Sequence, residues 1–330
     1  MAHPSGEARQ PLHASRPQFE PFDTYYVRRA PRKFRNRLWL HVTLFVVTLI
    51  TTTFAGSLHY LSYSSEFGRR PVDLSWAAML SGPFWLHGLW YSLTLLAILG
   101  AHEFGHYYYC RRYNVDASLP YFLPMPIPFT GTLGAVIRIR EPFPTRTTLF
   151  DIGVGGPIAG FVVLLPALFI GVAISTVIPD PTGPVDYFGE PLLFKAAVRM
   201  LHGAIAPQNE LNMHPMVFAS WFGMLATALN LLPFGQLDGG HITYATLGRW
   251  STPISLATVA TVILMAFNSS GWIAMSVIMV AMLALLGPRH PQVIYDEEPL
   301  ARGRRAIAVL ALIIFILCFM PVPLKQFIGS

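Results

Sequence analysis

Long apolar runs, separated by short polar or proline-rich stretches, dominate the chain after residue 37. The runs cover residues 38–56, 83–110, 149–178, 213–232, 253–267, 271–286 and 306–320. A helix needs about 20 residues to cross about 30 Å of hydrocarbon, and shorter runs can cross with tilt or local thinning of the bilayer. The pattern predicts an all-α polytopic membrane protein with about seven transmembrane helices.

Composition and charge agree with this interpretation. Of the 330 residues, 53% are hydrophobic and only 12% are charged, against about 25% charged residues in a soluble domain. With seven spans and a cytoplasmic amino terminus, 18 of the 23 Lys and Arg residues lie in the inside segments and 5 outside, as the positive-inside rule requires. The net charge of +6 therefore indicates membrane orientation, and no nucleic-acid partner is expected.

The same reading divides the chain into four parts. Residues 1–36 lack helical periodicity and are rich in Pro, Arg, His and Ser, which predicts a disordered basic cytoplasmic tail. Residues 37–82 hold the first transmembrane anchor and an external loop. We assign residues 83–251 to a catalytic membrane core and residues 252–330 to the C-terminal transmembrane helices.

Two motifs on separate spans carry candidate chemistry. The sequence HEFGH at residues 102–106 ends the second run, and helical spacing places His102 and His106 on one face with Glu103 beside them. The fourth run ends in NLLPFGQLDGG at residues 230–240. Seven alternating spans bring both motifs to the cytoplasmic side, so Asp238 can complete a three-ligand hydrolytic zinc site that keeps one position open for water. Gly239 and Gly240 are expected to form a turn that directs Asp238 inward.

These motifs resemble the site-2 protease family of intramembrane zinc metalloproteases. The sequences PYFLP at 120–124, GTLGAV at 131–136, FDIGVGGPIAGF at 150–161 and HPMVFASWFGM at 214–224 are similar to the ethylene-dependent gravitropism-deficient branch of plastids and cyanobacteria and its bacterial relatives. The resemblance implies one Zn²⁺ per chain, held by His102, His106 and Asp238, with Glu103 as the catalytic base. It also implies that Asn230 contacts substrate or the developing oxyanion, although an Asn at a helix end can equally be a cap or an interhelical donor.

The region between the second and third spans is predicted to be extended. Prolines recur from Pro120 to Pro144 and exclude a continuous helix, and residues 131–140 include alternating Ile and Arg, as in a half-buried strand. The resemblance implies a small re-entrant β-hairpin beside the zinc, in which Gly131 and Gly134 are candidate substrate-binding residues. An extended edge could hold an unwound substrate; a surface hairpin without that role is the alternative.

The family implies cleavage in or beside the transmembrane segment of a single-pass membrane protein within the lipid bilayer, often one that another protease has already shortened. A non-hydrolytic zinc-binding scaffold or metal transporter is the alternative, but neither needs a base at Glu103. Cys110 is expected to be a buried apolar residue rather than a ligand. From the character of the amino terminus, which contains Glu7, we expect a bacterial cytoplasmic (inner) membrane.

Overall fold

A computed structural model describes residues 36–66, 68–73, 75–126, 129–180, 186–287, 293–295 and 300–326. The predicted tail at residues 1–36 lies almost entirely outside the described residues. Within them the chain is mostly helical. The helices are α1 (Leu38–Ser64), α2 (Trp76–Met79), α3 (Gly82–Arg112), α4 (Arg146–Ala173), α5 (Leu192–His202), α6 (Pro215–Asn230), α7 (Asp238–Leu247), α8 (Ser251–Asn268), α9 (Ile273–Leu286) and α10 (Arg302–Cys318).

Short strands connect or cap these helices. They are β1 (Tyr121–Pro124), β2 (Thr132–Val136), β3 (Thr176–Pro179), β4 (Asp186–Phe188), β5 (Asn209–Asn212) and β6 (Leu324–Gln326). They form three antiparallel pairs, β1 with β2, β3 with β5, and β4 with β6. The predicted hairpin is therefore present as β1–β2, with Tyr121 opposite Val136 and a register shift between Leu123 and Pro124.

Four helical stretches among the described residues are long and apolar enough to cross a membrane. They are Leu38–Ser64, Gly82–Arg112, Arg146–Ala173 and Asp238–Asn268, and the last of these includes α7 and α8. The stretch Ser270–Leu285 is apolar but shorter. All seven predicted runs contain a helix, but the predicted number of seven spans is not confirmed, because α6, α9 and α10 have only 16, 14 and 17 residues.

Close backbone contacts align the first helices. A Cβ atom on Gly56 would overlap the Gly88 carbonyl group of α3, and a Cβ atom on Gly88 would overlap the Thr53 carbonyl group of α1. One turn along, the Thr52 and Ser92 hydroxyl groups lie 2.6 Å apart in the buried interface. Small residues of this kind let membrane helices approach closely. They hold α1 and α3 antiparallel.

The remaining core helices continue the antiparallel arrangement. Ile98 and Leu164 are neighbours of Gly223, and Gly171 lies against Val217, so that α4 and α6 also run in opposite directions. The largest cluster of buried apolar side chains includes Leu164, Leu168 and Trp221. We call the end of the bundle at which α1 and α4 begin the near end, and the opposite end the far end.

Candidate metal centre

Three side chains from two distant parts of the chain converge at one point. His102 Nε2 and His106 Nε2 lie 3.1 Å apart, and Asp238 Oδ2 lies 3.2 Å from the first and 3.3 Å from the second. Within the described residues, they form the one group of three or more His, Cys, Asp or Glu side chains spaced for a metal ion. The predicted trio is thus assembled in the fold.

Helix α3 presents both imidazole groups on one face. Residues four apart lie one above the other on a helix, and both His102 and His106 are buried. His106 Nδ1 lies 2.7 Å from the Ile152 carbonyl oxygen of α4. Because a carbonyl group only accepts, Nδ1 carries the proton, and in the neutral ring Nε2 offers a lone pair to the cluster.

Glycines of α4 make the space for these rings. A Cβ atom on Gly156 would overlap the His106 ring, and one on Gly160 would lie 3.2 Å from His102 Cβ. Gly155 and Gly105 face each other backbone to backbone. Gly156 thus forms the surface on which a candidate ligand rests.

Asp238 occupies the first residue of α7 rather than a turn. Residues 231–237 form a compact reversal after α6, in which the Phe234 N–H bonds Leu232 O and the Leu237 N–H bonds Phe234 O. A Cβ atom on Gly239 would overlap the Leu231 carbonyl group, and one on Gly240 the Gly235 carbonyl group. The expected Gly239–Gly240 turn is therefore wrong: these glycines are helical, and their lack of a side chain lets α7 pack onto the reversal.

The donor set fits Zn²⁺. Tetrahedral ligands at about 2.0–2.1 Å from zinc stand about 3.3 Å from one another, which is close to the three separations in this cluster. Asp238 contributes a carboxylate acceptor, and Asn230 Nδ2, a donor, lies 3.3 Å from His102 Nε2. Lone pairs from three atoms thus converge in a buried place, where a cation compensates their mutual repulsion.

Glu103 and the hairpin lie beside this cluster. The Glu103 side chain is buried and lies near the backbone of Ile137, immediately after β2. The hairpin therefore reaches the carboxylate next to the metal ligands. Asn230, at the last residue of α6, lies at the same level through its contact with His102.

The two candidate glycines of the hairpin differ in their surroundings. Gly131, at φ +71°, packs against Thr51 and Thr52 of α1, and its carbonyl oxygen accepts a 2.6 Å hydrogen bond from the Thr51 hydroxyl group. Gly134, at φ +110°, has no atom within 4 Å of the place of a Cβ. The first is thus engaged by α1, whereas the second leaves open space at the strand.

The sequence did not predict the hydrogen bonds that hold Asp151, next to the cluster. Asp151 receives two hydrogen bonds of 2.8 Å from Arg304 of α10 and a third from the Tyr113 hydroxyl group. Asp151 directly precedes Ile152, whose carbonyl group holds His106. Asp151, an acidic residue in the otherwise apolar FDIGVGG sequence, was the one available signal, but its partner Arg304 lies 153 residues away. Cys110 is fully buried in an apolar cluster and is not part of the metal group.

Comparison with known proteins places these motifs in context. A model of peptidase family M50 matches residues 90–269. The chain is 27% identical over 304 residues to "Probable zinc metalloprotease EGY1, chloroplastic" of Arabidopsis thaliana, covering 86% of this chain and 54% of that protein. It is 32% identical over 181 residues to the EGY1 protein of Oryza sativa subsp. japonica, covering 51% and 29%. It is 30% identical over 178 residues to "Probable zinc metalloprotease EGY2, chloroplastic" of Arabidopsis thaliana, covering 52% and 31%.

These relatives correct the predicted location of the protein, and they match this chain over only part of their own length. The chain spans about half the length of the first relative and about a third of the other two. All three are chloroplastic by name, so the prediction of a bacterial cytoplasmic membrane is wrong, and the relatives point to a plastid membrane. The prediction rested on the character of the amino terminus, including Glu7. Hydropathy and charge asymmetry could not correct it, because they specify how a chain crosses a bilayer and not which bilayer it is.

Proposed function

The chain belongs to peptidase family M50, and from that premise we propose that it is a zinc-dependent endopeptidase that cleaves membrane proteins in or beside their transmembrane segments. One observation carries the proposal: His102, His106 and Asp238 converge on one buried point with Glu103 at its side. The first three residues would hold one Zn²⁺, and the fourth would be the catalytic base. No feature of the described residues favours a scaffold or a transporter.

Each side chain has a separate task in this proposal. When bound, Zn²⁺ supplies Lewis-acid chemistry, which makes water acidic enough to lose a proton near neutral pH and polarises a carbonyl group. The Glu103 carboxylate accepts the proton of the attacking water and delivers it to the nitrogen of the leaving amine. Ile152 keeps His106 in the tautomer that points Nε2 at the site, and the Asn230 amide group is placed to donate to a substrate carbonyl group.

The substrate enters as an extended segment. A helical substrate hides its carbonyl groups in its own hydrogen bonds, so it must unwind before attack. We propose that β2 receives the unwound segment on its free edge, at the open side of Gly134, and that the backbone contact from Ile137 to Glu103 aligns that edge with the base. Gly131 supports this arrangement from the other side, by docking the hairpin on α1. The partner is a single-pass membrane protein.

The site lies inside the bilayer but close to the near end. Helix α3 has 31 residues, or about 46 Å at 1.5 Å per residue, and His102 to His106 lie roughly 9–15 Å from its last residue. We propose that α6, α9 and α10 complete seven spans, that residues 83–251 form the catalytic core, that residues 252–330 add the C-terminal spans, and that residues 37–82 form the first anchor and its loop.

Replacement of Glu103 tests the function directly. Glu103→Gln keeps the size of the side chain but removes the base, so we expect zinc content close to that of the wild type and a loss of cleavage of about 10²–10⁴-fold. The assay uses the full chain and a membrane-embedded single-span peptide in liposomes, with zinc measured by mass spectrometry. Glu190→Gln, at an exposed far-end carboxylate paired with Lys195, is the matched control.

Two results would contradict the proposal. If Glu103→Gln retains zinc and full cleavage, Glu103 is not the base. If the wild-type chain binds no zinc, or if Asp238→Asn binds it as tightly as the wild type does, the three-residue metal site is wrong. A chain that holds zinc tightly and cleaves no membrane peptide would instead be a scaffold.

A further inference from the structure

The turn of the β1–β2 hairpin packs against aromatic side chains from other elements. The Phe129 ring stacks on Phe188 of β4, with their centroids 5.7 Å apart, and it meets Phe222 of α6 edge to face at 5.3 Å. Backbone that is not helical is stable at membrane depth only when protein groups or water satisfy its polar atoms. The carbonyl groups of this turn therefore need hydrogen-bond donors.

Two side chains of α1 supply donors to the turn. His59 Nε2 lies 2.9 Å from the Phe129 carbonyl oxygen, and because that oxygen can only accept, Nε2 carries the proton. The Thr51 hydroxyl group donates a hydrogen bond of 2.6 Å to the Gly131 carbonyl oxygen. Both side chains precede residue 90, at which the match to peptidase family M50 begins. A helix outside the matched residues thus holds the turn.

Tyr91 of α3 binds the carbonyl group between these two. Its hydroxyl group donates a hydrogen bond of 3.0 Å to the Thr130 carbonyl oxygen, and its side chain is fully buried. Three consecutive carbonyl groups, at residues 129, 130 and 131, therefore each accept a hydrogen bond from a different helix side chain. Together with the stacked Phe129 ring, these bonds fix the turn against α1 and α3.

The hairpin passes the position of its turn on to β2. Gly131 directly precedes β2, which begins at Thr132. The Thr132 hydroxyl group donates a hydrogen bond of 2.8 Å to the Leu123 carbonyl oxygen across the hairpin, and the Met125 N–H bonds the Gly131 carbonyl oxygen at 3.2 Å. Because the two strands are joined next to the turn, any shift of the turn would also shift β2.

Helix α3 carries both Tyr91 and the candidate base, and it meets the hairpin at both places. About 18 Å of helix separates Tyr91 from Glu103, and at most about 23 Å of extended chain separates Thr130 from Ile137. Ile137 lies near the Glu103 carboxylate. The hydrogen bond from Tyr91 therefore determines how far along α3 the edge of β2 lies relative to Glu103.

We propose, on the basis of the proposed function in which β2 receives the unwound substrate, that Thr51, His59 and Tyr91 are positioning residues for proteolysis. They fix the turn, and through it the free edge of β2, at one place beside Glu103. The edge is then ordered before a substrate arrives, so that binding does not have to order it. Among the described residues, none of the three hydrogen-bonds a metal ligand, so they act on substrate binding and not on zinc.

Removal of single donors tests these roles. Tyr91→Phe removes one oxygen atom and keeps the buried ring, and Thr51→Val keeps the shape of the side chain. The full chain with Glu103→Gln binds a membrane-embedded single-span peptide in lipid nanodiscs without cleaving it, and the Kd of this peptide is measured. We expect each additional substitution to raise that Kd about three- to tenfold, the range that one hydrogen bond supplies.

Two further measurements separate positioning from a purely structural role. In the chain that keeps Glu103, the two substitutions should raise KM for the peptide about three- to tenfold and change kcat by less than about twofold, because they remove binding that is uniform along the reaction. Zinc retention against a chelator should equal that of the wild type. Hydrogen exchange of the β2 amides should become faster, since the turn is less firmly held.

Matched variants provide the controls. Tyr60→Phe removes a hydroxyl group of α1 that has no hydrogen-bond partner among the described residues, and it keeps the ring that stacks on His87. This variant should bind the peptide as the wild type does. His59→Gln keeps an N–H donor near the place of Nε2 and should bind the peptide more tightly than His59→Leu, which has none.

Three results would overturn these roles. The first is a Kd for Tyr91→Phe and Thr51→Val equal to that of the Tyr60→Phe control, which would mean that the side chains only satisfy the turn. The second is a loss confined to kcat or to zinc retention, and the third is the absence of peptide binding to the Glu103→Gln chain. Failure of the proposed function is a separate result, namely a zinc-loaded wild-type chain that binds the peptide and does not cleave it. If Thr51→Val does not give a monodisperse protein, Tyr91→Phe decides.

Discussion

Single residues decide whether the metal ligands can occupy their positions. The His106 ring rests on Gly156 and is aligned by the Ile152 carbonyl group. The HEFGH motif predicted from spacing alone that the two candidate ligands His102 and His106 lie together, because helix geometry places residues four apart on one face. The contact with Gly156 could not be predicted, since it depends on the angle and register at which α4 crosses α3.

Replacement of Gly156 by Ala tests this contact. The added methyl group would overlap the His106 ring, which its hydrogen bond with the Ile152 carbonyl group holds in place. We expect the purified Gly156→Ala chain to lose zinc affinity by at least about 10–100-fold, the size of effect seen when groups that orient a ligand are removed. The measurement is zinc retention against a competing chelator.

A second helical glycine provides the control for that experiment. Gly303 of α10 has no atom within 4 Å of the place of a Cβ, so Gly303→Ala should bind zinc as the wild type does. If Gly156→Ala also keeps wild-type affinity, the His106 ring is not confined by α4, and the account of the ligand position is wrong.

At the scale of elements, the sequence predicted the positions of most helices but was less accurate about where they end. The apolar runs located α1, α3, α4, α6, α8, α9 and α10. The third run was expected to reach residue 178, but α4 ends at Ala173, because Thr176–Pro179 pair with β5 as a strand. Helices α5 and α7 were not predicted: α5 is short and amphipathic, and α7 begins with an Asp-Gly-Gly sequence that is typical of a turn.

Contacts between distant elements were also beyond sequence reasoning, and the clasp at Asp151 is the clearest case. It joins the segment after α3 to α4 and α10 through Tyr113 and Arg304. Burial, and then the hydrogen bond to Asp151, raise the pKa of the Tyr113 hydroxyl group, so it remains a donor at neutral pH. The clasp fixes the start of α4, from which Ile152 reaches His106.

Removal of Arg304 should loosen this clasp. Arg304→Gln leaves the buried Asp151 carboxylate with one neutral donor, and we expect the free energy of unfolding to fall by about 1–3 kcal/mol. Unfolding of the full chain in mixed micelles measures this. Arg305→Gln, at the exposed neighbouring position, should change little; an equal effect of the two substitutions would show that the clasp contributes no stability. The pair Asp151→Asn with Arg304→Gln should recover part of the loss.

At the scale of the whole molecule, the described helices alternate in direction around the metal centre. Among the helices that the apolar runs predicted, α1, α3, α4 and α6 run antiparallel in turn. Thr258 of α8 contacts the reversal after α6. The Trp272 side chain, before α9, donates a hydrogen bond to the Pro321 carbonyl group beyond α10. The uneven distribution of basic residues predicted alternating helices, but the seven spans on which that prediction rested are not confirmed, since four stretches of the described residues are long and apolar enough to cross. Helix length alone does not establish that all of these helices cross the membrane, because α6, α9 and α10 are shorter than a typical span.

Sided labelling tests the seven-span arrangement. Cys110 and Cys318 are buried, so new cysteines at exposed sites report with little background. We expect Gln208→Cys and Asn268→Cys to react with an impermeant maleimide from one side of sealed vesicles, and Gly303→Cys from the other side only. Labelling of Asn268→Cys and Gly303→Cys from the same side would mean that α9 does not cross.

The metal centre combines the third helix of the chain with the seventh, and this division has a consequence for biosynthesis. Translation proceeds from the amino terminus at about 5–20 residues per second, so the HEFGH helix enters the membrane several seconds before Asp238 is made. During that interval the nascent chain holds His102, Glu103 and His106 but lacks Asp238. The group of three candidate ligands is therefore complete only after the second motif has been made.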